Sequence, residues 1–206
     1  CGLRQQTEKP VHDGVQNPNR CLSDFVAPLT DAMGQTTGYK DYVGVFAVTS
    51  GLGVEAKEKY FMDDHDDYSA IILKALADRL AEAFAECMHA RVRRDLWGYS
   101  AGELLSTEEL IKEKYQGIRP APGYPACPDH SVKRAMFELL QCQDIGMTLT
   151  DSLAMTPAAS VSGFYIGHPD ACYCNVGRIG DDQVQDLAQR QGVAEKDLLR
   201  LLAPNL

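Results

Sequence analysis

The sequence predicts an α+β fold, a twisted antiparallel sheet packed with helices that include one long helix. Three observations predict it. The run DYVGVFAVT at 41–49 is rich in β-branched and aromatic residues and is closed off by Gly51 and Gly53, as a buried strand would be. Residues 66–96 repeat apolar side chains at helical spacing. Three strand-like runs, 147–155, 161–167 and 172–179, follow closely enough to pair antiparallel.

The elements follow in order. Residues 1–20 are polar, hold Gly and Pro, and are expected to be extended or poorly ordered; 21–27 reads as a short strand. In the long helix Ile72, Leu76, Leu80, Ala83, Phe84, Cys87 and Met88 form one apolar stripe expected to face the core. Acids at 63, 64, 66 and 67 precede it and Arg91, Arg93 and Arg94 end it, matching the helix dipole at both ends. Trp97 and Tyr99 are expected to close the core beyond it. Ser106 with Glu109 spells a capping box for a helix at 107–115, which Gly117 would stop. Residues 119–128 hold four prolines and must be extended. A helix is expected at 131–142, with Ser131 as cap and Met136, Leu139 and Leu140 inward, and two more at 182–191 and 194–202, divided by Gly192.

With 206 residues, no internal repeat and no dividing linker, the chain reads as a single domain over 1–206. CGLRQQTEKP lacks an initiator Met and a signal-peptide core, and reads as the edge of a longer chain. The net charge of -9 argues against nucleic acid as the main partner, since phosphate neutralisation needs a basic surface. No apolar run is long enough to cross a bilayer, so no membrane partner is expected. Seven cysteines, an odd number without a secretion signal, read as reduced thiols in a cytoplasm.

The segment Arg119-Pro120-Ala121-Pro122-Gly123-Tyr124-Pro125 is the most informative stretch. Proline fixes φ and leaves few conformations to lose on binding. The remaining amides, at Ala121, Gly123, Tyr124 and Ala126, are few enough to point at one ligand. Gly123 lets backbone approach closely, Arg119 offers a fork for a carboxylate, and Tyr124 adds an aromatic face and a hydroxyl. A rigid crossover with Arg119 paired to a surface acid fits the same residues.

Other chemistry finds weaker support. Cys127 and His130 have metal-ligand spacing, and Cys172 and Cys174 would complete a tetrahedral set, but neither spacing reproduces a zinc-finger pattern. PACPDH lacks the second Cys and the upstream H-x-E of a deaminase. Nothing orients His130 or His168 as a base for a Cys127 nucleophile. Gly51-Leu52-Gly53 lacks the third Gly of a dinucleotide fingerprint, and His65 reads as a solvated helix start. No catalytic acid–base pair and no metal site is assigned.

The stretch Tyr115 to Pro125, followed by Cys127-Pro128-Asp129-His130, resembles the signature of the activation domain of cobalamin-dependent methionine synthase. LRQQTEK at 3–9, DYVGVFAVT at 41–49, HDDY at 65–68, KALADRLAEAFAE at 74–86, WGY at 97–99, SVSGFY at 160–165, HPD at 168–170, DQV at 182–184 and LAPNL at 202–206 extend the likeness over nearly the whole chain. The resemblance implies a module that binds S-adenosylmethionine and supports reductive methylation of cob(II)alamin within a methyltransferase. It implies that Arg119 grips the ligand carboxylate, that the backbone near Ala121 and Gly123 and the ring of Tyr124 hold the rest, and that Tyr173 contributes from a later strand. Cys174 stands where the family often has a second aromatic residue. Glu82 and Glu113 match family acids near the ligand and equally suit solvated helix carboxylates.

In the family the acid that pairs with the ligand's amino group lies upstream of Cys1, so the fragment is expected to lack complete activity. Cobalamin is expected from a neighbouring domain, zinc only in the full-length enzyme's homocysteine domain, and electrons from a flavodoxin-type donor, for which Arg91, Arg93 and Arg94 are a candidate docking patch. A non-catalytic module that senses S-adenosylmethionine or docks to a cobalamin protein is the alternative.

Overall fold

The computed structural model describes residues 2–6, 11–12, 15–16 and 18–206. In chain order the elements are β1 (Val11–His12), β2 (Val15–Gln16), β3 (Gly44–Thr49), α1 (Val54–Asp63), α2 (Asp67–Arg91), a π-helical turn (Val92–Leu96), α3 (Thr107–Ile111), α4 (Val132–Leu139), β4 (Thr148–Leu149), β5 (Met155–Thr156), β6 (Ser160–Tyr165), α5 (Asp181–Gln191) and α6 (Glu195–Leu202). The fold is α+β as expected, but its strands form small two-stranded ladders, β1–β2, β3–β6 and β4–β5, rather than one broad sheet. Two compact units result. The first comprises Cys1–Gly44, Gln116–Val132 and Phe164–Leu206, and the second Val45–Tyr115 and Lys133–Gly163. Among the described residues no helix is long and apolar enough to cross a membrane.

In the first unit one core joins Leu3, Val176, Ile179 and the inner faces of α5 and α6. The second joins Leu22, Phe25, Ile118, Cys127, Ile166 and Cys174. Leu3 is buried, so the extended stretch 2–6 is a packed part of the unit, while residues 1, 7–10, 13–14 and 17 lie outside the described ones. The strand expected at 21–27 is instead a single 3-10 turn, Leu22–Phe25. Its Asp24 carboxylate accepts the Cys21 amide at 3.0 Å and both nitrogens of the Arg4 fork at 2.6 and 2.7 Å, a capping arrangement that a strand would not permit. The Arg4 guanidinium holds the Asp24 carboxyl down at about 2. Because this folded value lies below the unfolded one of about 4, the anchor stabilises above that pH and is lost as pH falls toward 2. Helices α5 and α6 lie where expected, with Gly192 in the left-handed region (φ 66) ending α5. The run at 172–179 forms no strand; the Val176 amide bonds to Pro125 O and the Ile179 amide to Asn205 O instead.

In the second unit, α1 is an element that the reading of the sequence passed over. It buries no residue of its own and lies along α2, with Lys74 reaching Glu58 at 2.7 Å. Asp63 therefore ends α1, and Asp66 alone caps α2 by accepting the Ser69 amide at 3.0 Å. The apolar stripe of α2 faces the other way from expectation: Leu76 and Leu80 are 57% and 61% exposed, and Ile72 and Phe84 are exposed too. The buried face is Ala70, Ala77, Ala81, Ala85 and His89. Two stripes with a repeat of four run side by side here, one residue apart. The alanines lack the bulk that would hold neighbouring backbone away, so they take the tight position.

The long helix also changes character at Val92, where one π turn inserts an extra residue. That turns Arg93 inward and leaves Arg91 and Arg94 outside. Arg93 is fully buried, forks onto Glu103 at 2.8–3.1 Å and lies 4.0 Å from the Tyr115 ring centre. His89 packs edge-on against Tyr115 and meets the Tyr99 hydroxyl at 3.3 Å, while burial pushes the Tyr99 phenol up to about 12. Trp97 stands edge-on to Tyr99, and both rings are half-buried rather than in the core. The three-arginine patch is thus reduced to two exposed cations.

The capping box of Ser106 and Glu109 forms as read, but α3 ends at Ile111, because Glu113 turns to φ 51 well before Gly117. Helix α4 ends at Leu139, since Gln141 adopts φ 50. Met136 and Phe137 are buried, whereas Leu139 is 72% exposed, and the Ser131 amide ahead of the helix is held by Asp129. The expected strand 147–155 folds back on itself, with Thr148 opposite Thr156 and Leu149 opposite Met155.

The orientation of α2 is directly checkable. Ala81→Leu should overpack the buried face and cost about 1–3 kcal/mol in urea unfolding. Leu80→Lys should change stability by less than about 0.5 kcal/mol. The reverse ranking would place the large residues, not the alanines, in the core.

Candidate functional site

The proline-rich loop is fixed to its unit at several points. Ile118 and Ile166 exchange both amide–carbonyl bonds at 3.0 Å, a single antiparallel bridge that aligns the start of the loop. The Phe164 amide donates to Pro120 O at 2.9 Å, so the loop continues alongside the end of β6. Gln116 Nε2 reaches Gly167 O at 2.8 Å from the same side. Further on, the Val176 amide donates to Pro125 O at 2.9 Å and the Arg119 amide to the Tyr173 hydroxyl at 3.2 Å. The segments 119–127 and 173–176 therefore run together, tied at both ends. Ile118, Ala126 and Cys127 anchor this pair of segments in the core, while Gly123, Tyr124 and Tyr173 stand outside, with Tyr124 62% and Tyr173 44% exposed.

Within the loop, Gly123 N–H donates to Cys127 O at 2.7 Å and the Cys127 amide to Tyr124 O at 2.8 Å, closing a tight turn around Pro125 and Ala126. The Tyr124 amide turns back to Ala121 O at 3.4 Å. Two of the four amides expected to face a ligand are thus used to hold the loop's own shape. Gly123 has φ +97, and a Cβ there would overlap the His130 imidazole. The glycine is required by backbone conformation and by the ring beneath it. His130 is accordingly part of this constellation, a role that its Cys-x-x-His spacing hid by suggesting metal. Asp129, 3% exposed, holds the base of the loop by accepting Ser131 N–H at 2.8 Å and Gln191 Nε2 at 2.7 Å.

The sequence-derived site residues divide between the two units. Arg119, Ala121, Gly123, Tyr124, Tyr173 and Cys174 belong to the first, and the structure gathers them on the paired segments just described. Arg119 and Ala121 are half-buried. Cys174 is 4% exposed and its side chain packs in the core, so it offers no surface equivalent to an aromatic ring. Glu82 and Glu113 belong to the second unit, exposed on α2 and just after α3. Among the described residues no group of three His, Cys, Asp or Glu is placed to hold a metal ion.

The chain is thus an α+β module in which Arg119, Tyr124 and Tyr173 stand on two segments tied to each other at several points. The chain belongs to the family described as vitamin B12 dependent methionine synthase, activation domain, whose model matches residues 1–192. It is also similar to a solved structure described as the MetH reactivation domain bound to AdoHcy, with 55% identity and a TM-score of 0.88. That likeness covers 99% of this chain and 60% of the other, so the chain spans about three fifths of that longer one.

The demand on Gly123 yields a stability test. Gly123→Ala should lower the unfolding free energy by at least about 1 kcal/mol, through its positive φ and the His130 ring. Gly102→Ala, where an added methyl meets nothing within 4 Å, should stay within about 0.5 kcal/mol. Equal effects in denaturant titrations would contradict the described packing.

Proposed function

We propose that this chain is the C-terminal part of one activation domain, that it binds S-adenosylmethionine on the 119–127 and 173–176 segments, and that it supports reductive methylation of cobalamin in the full-length methionine synthase. The observation that carries the reading is the tie between the Arg119 amide and the Tyr173 hydroxyl at 3.2 Å, which holds the backbone of half-buried Arg119 beside an exposed tyrosine. The AdoHcy-bound relative supports the ligand class, since AdoHcy is what S-adenosylmethionine becomes on losing its methyl group.

The residues divide the work by chemistry. The planar fork of Arg119 matches the ligand carboxylate, a charge-assisted contact worth about 1.5–3 kcal/mol. The rings of Tyr124 and Tyr173 offer π faces to the adenine and the sulfonium. Ala121 and Gly123 keep the wall low enough for backbone approach. Cobalamin, carried by a neighbouring domain, would supply the methyl-accepting chemistry, and the residues of this chain would hold the donor toward it. A sulfonium is already an activated donor, so this chain need only hold it in line and keep it from drifting. The electron is taken from a flavodoxin-type donor, and the setting is cytoplasmic. Arg91 and Arg94 are the cations left exposed for such an acidic partner.

Calorimetric titration of S-adenosylmethionine tests this reading. Arg119→Ala should weaken binding more than tenfold, and Tyr173→Phe less than Tyr173→Ala. Equal affinity of wild type and Arg119→Ala removes the guanidinium from the site and the reading with it.

A further inference from the structure

The two thiols flanking Tyr173 form a pair that the proposed methyl-donor chemistry does not use. Cys172 Sγ and Cys174 Sγ lie 3.2 Å apart, and Cys174 Sγ also lies 3.5 Å from Cys172 O. Cys172 is exposed and Cys174 is buried. The Arg20 guanidinium lies 3.8 Å from Cys172 Sγ, a positive charge beside the accessible sulfur. The segment is neither helix nor strand and is tied at Tyr173 and Val176.

We propose that Cys172 and Cys174 are a redox modification site, a dithiol that small-molecule disulfides oxidise to an intrachain Cys172–Cys174 bond. The steps balance. The Cys172 thiolate attacks one sulfur of the small disulfide, forming a mixed disulfide and releasing one small thiolate, which takes a proton. Cys174 then gives up its proton, attacks Cys172 Sγ and displaces the second small thiol. The protein loses two electrons and two protons, and the small disulfide becomes two thiols. A bond needs the sulfurs about 2.0 Å apart, so closure takes roughly 1 Å of movement from the present arrangement.

Closure reaches Tyr173 because the ring is so small. Cα atoms two residues apart in extended chain are separated by about 6.6 Å, near the upper end of the roughly 4.4–6.8 Å that a disulfide spans. Drawing the sulfurs together therefore bends the backbone at residue 173. The Tyr173 hydroxyl is bonded to the Arg119 amide, so the bend acts on the loop that carries the guanidinium. This consequence rests on the ligand site proposed above; the dithiol itself does not.

Two readouts separate the two claims. Reduced protein is equilibrated with oxidised glutathione, alkylated under denaturing conditions and cut with chymotrypsin, which cleaves after Tyr173. A Cys172–Cys174 bond keeps the two flanking pieces joined until reductant is added, and the intact mass falls by about 2 Da. Cys174→Ala should stop the reaction at a glutathione adduct on Cys172, and Cys172→Ser should abolish both products. A wild-type protein that ends as the Cys172 adduct, or whose bond maps to Cys127, overturns the proposal. S-adenosylmethionine affinity is then measured in both redox states. The oxidised wild type should bind at least fivefold more weakly than the reduced one, with no change for Cys172→Ser given the same treatment. Equal affinity in the two states overturns the coupling. Failure of the reduced protein to bind overturns the ligand reading, and the peptide map alone then decides the dithiol.

Discussion

The pair of backbone bonds between Ile118 and Ile166 sets the geometry on which the candidate site depends. A proline-rich loop has few amides of its own to pin it, so its position must come from where it enters and leaves. The Ile118–Ile166 bridge fixes entry, the Pro120–Phe164 bond carries the alignment one step further, and Pro125–Val176 fixes the exit. Between these ties the chain cannot slide along β6 without breaking several bonds at once. Arg119 therefore projects from a backbone whose conformational entropy is largely spent in folding rather than on binding a ligand.

The same economy explains why the loop's amides do less recognition than its composition suggests. Gly123 and Tyr124 use theirs to close the turn. In the proposed site recognition falls to side chains, chiefly a guanidinium and two phenols, while Gly123 leaves room for the His130 ring. Such a site suits a ligand that brings its own reactive group and needs only to be oriented. The second unit is built on the opposite plan. Its buried Arg93 is committed to Glu103 and Tyr115, and the π turn that delivers it removes a cation from the surface.

Much of this was legible in the residues, and the failures have physical causes. The Ser106–Glu109 box, the Gly192 stop and the Gly44–Thr49 part of the strand expected at 41–49 each rest on local chemistry, and each formed, whereas the proline segment expected to be extended folds into tight turns closed by the Gly123, Tyr124 and Cys127 amides. The orientation of α2 did not, because hydrophobic periodicity ranks large residues first, while close packing favoured the alanine stripe one residue away. Strand 172–179 failed because its amides find isolated partners, Val176 at Pro125 and Ile179 at Asn205, which no periodicity encodes. Of the candidate site, Arg119, Tyr124 and Tyr173 could be picked out by residue type and family likeness. The contribution of His130 and the thiol pairing of Cys172 with Cys174 required the fold, since both depend on side chains brought face to face.

The most direct measurement is a crystal structure of this chain soaked with AdoHcy. The account predicts ligand density along the 119–127 and 173–176 segments, its carboxylate within about 3 Å of the Arg119 fork. Density seated elsewhere, with Arg119 turned away from the carboxylate, would contradict it.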